Sequence, residues 1–269
     1  MLVFPNAKIN LGLNIIEKRN DGFHNLSSCF YPVKWCDVLE IIESRKFEFA
    51  VNGINIPGKS DQNLCVKAYN LLKKDYQLPN VAIQLHKILP IGAGLGGGSS
   101  DATYTLKLLN ELFQLFLDDN ILELYAEQLG SDCPFFISNK PVIAEGKGEI
   151  LKPVEIDLSN YFIVIIFPGI DIDTASAYNH VIPSGPDQSI SNILKDIPLK
   201  EWKKTLKNDF EKSVFLQFPE IKAIKESLYT IGALFASMSG SGSSVYGIFN
   251  KQVGSDQFSK RYNIWTGKL

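Results

Sequence analysis

The sequence predicts an α+β protein built as two domains of moderate size, and three observations carry that reading. Segments with the two-residue period of strands follow one another through the first third of the chain with only short turns between them, as antiparallel sheets require. The period changes to three and four residues directly after a glycine-rich loop, so a helix begins there. A polar stretch with Gly and Pro, GKGEILKPVEIDLSN, then precedes the apolar run YFIVIIF. That shift of composition divides the chain into expected domains 1–155 and 156–269.

The first strand is expected over Ala7 to Ile16, where Ile9, Leu11, Leu13 and Ile15 alternate with less apolar neighbours. RNDGFHNL interrupts it, with Asp21-Gly22 as the turn signal. VLEIIES, KFEFAVN and VAIQLHKIL are further strands. Beyond the glycines, Leu106, Leu109, Leu112, Phe113 and Phe116 recur at helical spacing, so a helix starts at Ser99 or Ser100, with Ser99 as its N-cap. A second helix over Asn120 to Leu129 stops at Gly130, taken as a left-handed cap. In the second half YFIVIIF reads as a buried strand. Helices are expected over Asn208 to Leu216 and Glu220 to Ile231, with Pro219 opening the latter and Gly232 past its end. ALFASMSGSGSSVYGIF gives two strands joined by a Gly-Ser turn.

Composition narrows the function classes. The chain has 269 residues, 45% hydrophobic and 21% charged, which is ordinary globular usage with ample core. A formal net charge of −2 and scattered Lys and Arg supply no basic field, so nucleic acid is not an expected partner. MLVFPNAKINLGLNI lacks the pattern of a signal peptide, and YFIVIIF is far shorter than a membrane span, so no membrane partner is expected. Cys29, Cys36, Cys65 and Cys133 form no CxxC pair and read as scattered thiols of a reducing cytoplasm.

The stretch that demands a function is LPIGAGLGGGSSDA, with glycines at 92, 94, 96, 97 and 98. A strand, a glycine loop and a helix start make an anion site, because backbone N–H groups turn inward and the helix N-terminus adds partial positive charge. Each such contact is worth only about 0.3 to 1 kcal/mol when exposed, so a polyphosphate needs several together. A flexible turn would explain the glycines but not Ser-Ser-Asp or the clean onset of helical period. Gly92, Gly94 and Gly97 also satisfy GxGxxG, with Asp118 or Asp119 about twenty residues on. That acidic residue should end a second parallel strand, and here it follows an amphipathic helix, so the dinucleotide reading is set aside. No Lys follows the glycines, so the loop is not of the Walker form.

PIGAGLGGGSSDA resembles the phosphate-binding loop of the GHMP kinases. PNAKINLGLNI followed by DGFHNL, then LGSDCPFF and SMSGSGSSVYGIF, match further signatures of that family in order and span most of the chain. The resemblance implies an N-terminal ribosomal-S5-domain-2-like domain and a C-terminal ferredoxin-like domain with the active site in the cleft between them. It implies ATP and Mg²⁺, direct phosphoryl transfer and a small-molecule alcohol as acceptor. DGFHNL points to a cytidine diphosphate alcohol rather than homoserine or mevalonate, whose pockets have no need of an aromatic wall.

The resemblance also assigns residues. Lys8, which alone reads as a solvated strand lysine, becomes the charge that approaches the transferred phosphate, and Asp132, otherwise a turn residue, becomes the catalytic carboxylate. Pro90, Ile91, Gly92, Ala93, Gly94, Leu95, Gly96, Gly97, Gly98, Ser99 and Ser100 form the ATP loop, and Ser99 or Ser100 could bind Mg²⁺ through a hydroxyl. Asn63 and Asn110 match asparagines on the adenine side. Asn10, Phe23, His24, Thr174 and Tyr178 are assigned to the acceptor. Asp101, in the first helical turns, is expected to point away from the phosphates or toward the metal. The loop from Ser239 to Ser244 is expected to close over the phosphate region.

Overall fold

The odd-numbered residues from Ala7 to Ile15 are buried and apolar while Lys8, Asn10 and Asn14 occupy the other face of the same strand, as the two-residue pleat requires. This strand opens a chain whose computed structural model describes residues 1–183, 185 and 188–269. In chain order the elements are β1 (Leu2–Val3), β2 (Asn6–Lys18), β3 (His24–Cys36), β4 (Val38–Glu43), β5 (Glu48–Gly53), α1 (Leu64–Tyr76) and β6 (Val81–Lys87). There follow α2 (Gly97–Leu112), α3 (Asp119–Glu127), α4 (Phe135–Ser138), β7 (Val142–Gly146), β8 (Ile150–Pro153) and β9 (Phe162–Phe167). The remainder is α5 (Thr174–Asn179), α6 (Ile190–Asp196), α7 (Trp202–Thr205), α8 (Glu211–Gln217), α9 (Pro219–Thr230), β10 (Phe235–Met238), β11 (Val245–Phe249) and β12 (Asn263–Lys268).

Contacts divide the chain into two compact units, each discontinuous in sequence. The first is Met1–Ala7, Trp35–Ile91 and Gly96–Lys140; the second is Lys8–Lys34, Gly92–Leu95 and Pro141–Leu269. This differs from a single cut at 155/156. The reason is that β3 pairs with β7, Leu26 opposite Gly146 and Phe30 opposite Val142, so early strands join late ones.

In the first unit the sheet order is β1-β4-β6-β5. β4 and β6 run antiparallel, with Leu39 opposite Leu85 and Ile41 opposite Ile83. β5 and β6 are parallel, which the expectation of antiparallel sheets did not include. The crossover that makes this pairing feasible is α1, lying between them in sequence. Leu39, Ile41, Ile83 and Leu85 form one core with Cys65, Tyr69 and Leu72 of α1, Leu106 and Leu109 of α2, and Leu122 of α3.

Helix boundaries needed correction. α2 begins at Gly97 with Gly96 as N-cap and no side-chain cap, so Ser99 is inside the helix and is not its cap. It ends at Leu112, and Phe116, expected to continue its buried face, is 87% exposed. α3 starts after Asp118, whose carboxylate accepts from Ile121 N, and its C-cap Gln128 is right-handed. Gly130, expected as a left-handed cap, is not among the positive-φ residues.

In the second unit β2-β3-β7-β8 form one sheet and β10-β11-β9-β12 another. The latter is antiparallel, with β9 between β11 and β12. Numbered from β9, its order is that of a ferredoxin-like sheet, the second crossover being only a 3₁₀ turn, Ser255–Gln257. Val214, Ile221, Ile224 and Leu228 from α8 and α9 pack with Val164, Ile166, Met238 and Val245. α8 starts at Glu211, not at the expected Asn208, which instead bonds backbone, while Pro219 does open α9. Among the described residues no helix is long and apolar enough to cross a membrane, and the four cysteines are free thiols.

Leu106 is fully buried in the first unit's core. Leu106→Ala should lower the unfolding free energy by about 2 to 5 kcal/mol, read from urea melts; a loss under about 0.5 kcal/mol would mean α2 is not packed as described.

Candidate active site

In the second unit, β2 carries Lys8 and Asn10 on one face, both buried. Lys8 Nζ donates to Asn10 Oδ1 at 2.7 Å and lies 4.4 Å from the centre of the Phe30 ring. Asn10 Nδ2 donates to Ser28 Oγ at 2.8 Å, and Ser28 in turn donates to the Gly12 carbonyl at 2.6 Å. The amide is thereby fixed in orientation and its oxygen held toward the ammonium, while the aromatic face gives the buried ammonium a second stabilising contact.

The tip of the glycine loop, Gly92–Leu95, belongs to the same unit. Lys8 N donates to Leu95 O at 2.9 Å, Ser239 Oγ to Gly94 O at 2.8 Å, and Ser244 N to Ala93 O at 3.2 Å. A Cβ at Gly94 would overlap the Ser239 carbonyl oxygen, and its φ of +75° disfavours any other residue. The later Gly-Ser turn thus packs on the first loop. Asn208, which sequence reading left as an ordinary helix start, donates from Nδ2 to Met238 O and Gly240 O at 2.9 and 2.8 Å. Tyr246 OH donates to Asn10 O at 2.7 Å. A buried Asn beside a chain turn was the one available signal for Asn208; nothing in the sequence marked Ser28 or Tyr246.

The first unit holds the other end of the loop. The first amide used inside α2 is that of Ser100, donating to Gly96 O at 2.9 Å. The N–H groups of Gly97, Gly98 and Ser99 therefore precede the helical ladder, as an anion site needs. Ser99 is half-buried and lies close to the Cys133 thiol, next to Asp132. Thr103 Oγ1 donates to Cys133 O at 2.8 Å, so the turn carrying half-buried Asp132 is tied to α2. Ser100 is fully buried and its hydroxyl has no partner. Asp101 is 2% exposed and points to Lys87 Nζ, 2.7 Å away.

The acceptor-side residues sit in the second unit. His24 stacks on Tyr178, ring centres 5.0 Å apart, and Tyr178 meets Phe210 edge-on. Phe23 is 58% exposed with Lys147 Nζ 5.1 Å from its ring centre. Thr174 Oγ1 lies 3.1 Å from Ser241 Oγ of the Gly-Ser turn and is the first residue of α5, capped by Asp173. Burial lowers the His24 pKa, and the Lys18 charge adds to this. In the first unit Asn63 caps α1 by accepting from Cys65 N at 2.9 Å. Asn110 exchanges two bonds of 3.0 Å with the Leu117 backbone, so both ends of its amide are engaged structurally.

The dinucleotide fingerprint finds no support: the strand before the loop has an antiparallel neighbour, and Asp118 caps a helix.

A glycine loop that leads into a helix start is the kind of anion-binding element that a small-molecule kinase uses. Comparison with known proteins agrees. The family described as GHMP kinases N terminal domain matches residues 63–140, and GHMP kinases C terminal matches 191–263. The 4-diphosphocytidyl-2-C-methyl-D-erythritol kinase of Bacteroides fragilis is 52% identical over 94% of this chain and 93% of its own. That of Azobacteroides pseudotrichonymphae is 50% identical over 96% and 98%. A solved 4-(cytidine 5'-diphospho)-2C-methyl-D-erythritol kinase superposes with a TM-score of 0.83 at 32% identity, covering 99% of this chain and 98% of its own. Methanococcus jannaschii mevalonate kinase shares the fold, with a TM-score of 0.73 at 15% identity over 100% and 98% of the two chains. The chain belongs to the GHMP kinase family and, within it, groups with the 4-diphosphocytidyl-2-C-methyl-D-erythritol kinases.

His24 should titrate below its ordinary 6.5 in an NMR pH series. A folded value depressed in this way stabilises the native state above pH 6.5, a contribution lost as pH falls through the lower midpoint. A midpoint at or above the ordinary value would contradict the buried stack.

Proposed function

We infer that this protein is an ATP-dependent kinase that phosphorylates the 2-hydroxyl of 4-diphosphocytidyl-2-C-methyl-D-erythritol, a step of the non-mevalonate route to isoprenoid precursors, in the cytoplasm. The observation that carries this reading is the pinned glycine loop with Lys8 bonded beside it, in a chain about half identical to kinases of that name.

Phosphoryl transfer asks mainly for positioning and charge stabilisation. The amides of Gly97, Gly98 and Ser99 are proposed to hold the triphosphate, together with the rest of the loop from Pro90 to Ser100. Lys8, oriented by Asn10 and Phe30, would neutralise the reacting phosphate. Asp132 would accept the hydroxyl proton. With a reference pKa of about 3.9, a carboxylate is a feeble base at neutral pH, so it takes the proton late, as the new bond to phosphorus acidifies the hydroxyl. Phe23, His24 and Tyr178 would form the aromatic wall for cytosine, and Thr174 a polar contact beside it. Asn63 is retained on the adenine side. Asn110 is retained there as well, since one bond at each end of its amide leaves a second donor hydrogen and a second lone pair.

Mg²⁺ fits this loop through Ser99 and not through Ser100: the Ser100 hydroxyl is fully buried within the unit, whereas Ser99 is half-buried beside the turn of Asp132. Bound with the nucleotide, the ion would supply neutralisation of phosphate charge. The domains 1–155 and 156–269 are proposed as the two family domains, a division by sequence that the contacts within the fold cut across.

Asp132→Asn should leave ATP binding within about threefold while kcat falls by at least about a thousandfold, since only the proton acceptor is lost. Undiminished turnover would remove Asp132 from the mechanism. ADP release with Mg·ATP should be seen with the diphosphocytidyl alcohol and not with mevalonate, homoserine or galactose. Equal turnover of mevalonate would overturn the acceptor assignment.

A further inference from the structure

Directly beneath the start of α2 lies a group of charges that the reaction does not use. Asp37, between β3 and β4, is fully buried; Lys87, the last residue of β6, is 3% exposed; Asp101 in α2 is 2% exposed. Lys87 Nζ donates to Asp37 Oδ2 at 2.5 Å and to Asp101 Oδ2 at 2.7 Å. The other oxygen of Asp37 accepts the backbone amides of Ile88 and Leu89 at 2.5 and 2.8 Å. Those two amides belong to the residues leading into the glycine loop, and Asp101 belongs to the helix that leads out of it. The ammonium also lies 3.0 Å from where a Cβ on Gly97 would stand, so the helix start rests on the cluster at a distance only glycine permits without a shift.

Three buried charges are a costly way to join two chain segments. Desolvation of such ions is several kcal/mol each, and apolar replacements are often as stable, so stability alone is a weak reason for the arrangement. Here two carboxylates share one ammonium, and burial pushes the Asp101 pKa up to about 7 despite Lys87, so the cluster is negative only in part at neutral pH, under a proposed site for phosphate. Burial opposes the Lys87 charge, yet Asp101 and Asp37 together hold its pKa above the ordinary range. One oxygen of Asp101 is buried with no partner. A side chain that is adverse to the ligand in charge and incompletely satisfied is explained if its geometry is what the site needs.

We propose that Asp37, Lys87 and Asp101 form a clamp that fixes both ends of the phosphate loop, so that Asp101 is a positioning residue for ATP which never touches it. The proposal rests on the reading of this loop as the ATP site. The clamp holds the entry through Asp37 and the exit through Asp101, with Lys87 as the shared bolt, and thereby keeps the three leading amides of α2 aimed at one point.

The sign of the effect distinguishes the clamp from simple electrostatics. Removing the Asp101 charge makes the cluster neutral and leaves the Lys87–Asp37 pair intact. If Asp101 acted only through its charge, Asp101→Ala would bind ATP more tightly. If it positions the loop, Asp101→Ala should raise the KM for ATP about tenfold or more, with the KM for the diphosphocytidyl alcohol within about twofold. Asp101→Asn, which keeps an oxygen to accept from Lys87, should recover most of the loss. Amide hydrogen exchange in the nucleotide-free variant should be faster at residues 96–100 than in the parent protein, with the β9–β11 strands unchanged, which also shows that the variant is folded.

An unchanged or lower KM for ATP in folded Asp101→Ala would overturn the clamp, and so would an equal rise in both KM values, or no recovery in Asp101→Asn. The reading beneath it has its own readout: a non-hydrolysable ATP analogue should protect the amides of residues 94–99 in the parent protein. Protection in the parent with no effect of the substitution rejects the clamp alone, whereas absent protection rejects the loop as the ATP site.

Discussion

The proposed ATP site depends on three backbone amides at the beginning of one helix and on the chain being held so that they stay together. Gly97, Gly98 and Ser99 donate to nothing within α2, because the helical ladder starts with Ser100. Their partial charges add only when they converge, and glycine, which allows them to converge, also gives the loop the greatest freedom to lose that arrangement. The surrounding structure is best understood as removal of that freedom.

Within the second unit this is done by hydrogen bonds to the carbonyls of the loop tip. Ala93, Gly94 and Leu95 each present an oxygen that is bound, by Ser244 N, Ser239 Oγ and Lys8 N respectively. Carbonyls engaged on one side leave the amide side of the bend available for an anion. The same residues extend to the proposed catalytic lysine: Lys8 offers its amide to Leu95 and its ammonium to Asn10, and Ser239 Oγ also accepts from Asn10 N. Asn208 and Tyr246 complete this network from behind. Such a fully connected polar network fixes one geometry, where an apolar packing of equal area would tolerate several.

The first unit holds its part by ion pairing and packing. α2 lays Leu106 and Leu109 into the core with α1 and β6, so its axis is set by burial. Thr103 ties the same helix to the turn of Asp132. Asp132, the proposed proton acceptor, is weak by nature and would contribute through placement, which comes from the helix that also carries the leading amides.

Much of this was legible in the sequence. The alternation in AKINLGLNI gave the strand and its buried face, the change of period after Gly98 gave α2, and the four motifs together gave the family, because each motif specifies a backbone shape or a charge that few folds need in that order. The helix α1 could have been read from Cys65, Ala68, Tyr69 and Leu72, which sit at helical spacing and are all buried. The parallel pairing of β5 with β6, the join of β3 to β7 and the end of α2 before Phe116 depend on partners far away in the chain, and local pattern carries no record of them. Residue roles divide in the same way. The glycine spacing and the helix onset were visible in the chain itself, whereas the contacts that exclude a side chain at 94 come from the fold. Only the tertiary structure decided that Asn110 serves its own loop, that Ser100 is sealed inside, and that Lys87 sits between two carboxylates, because a polar side chain's role is set by which partner lies within about 3 Å, and that partner is chosen by the fold.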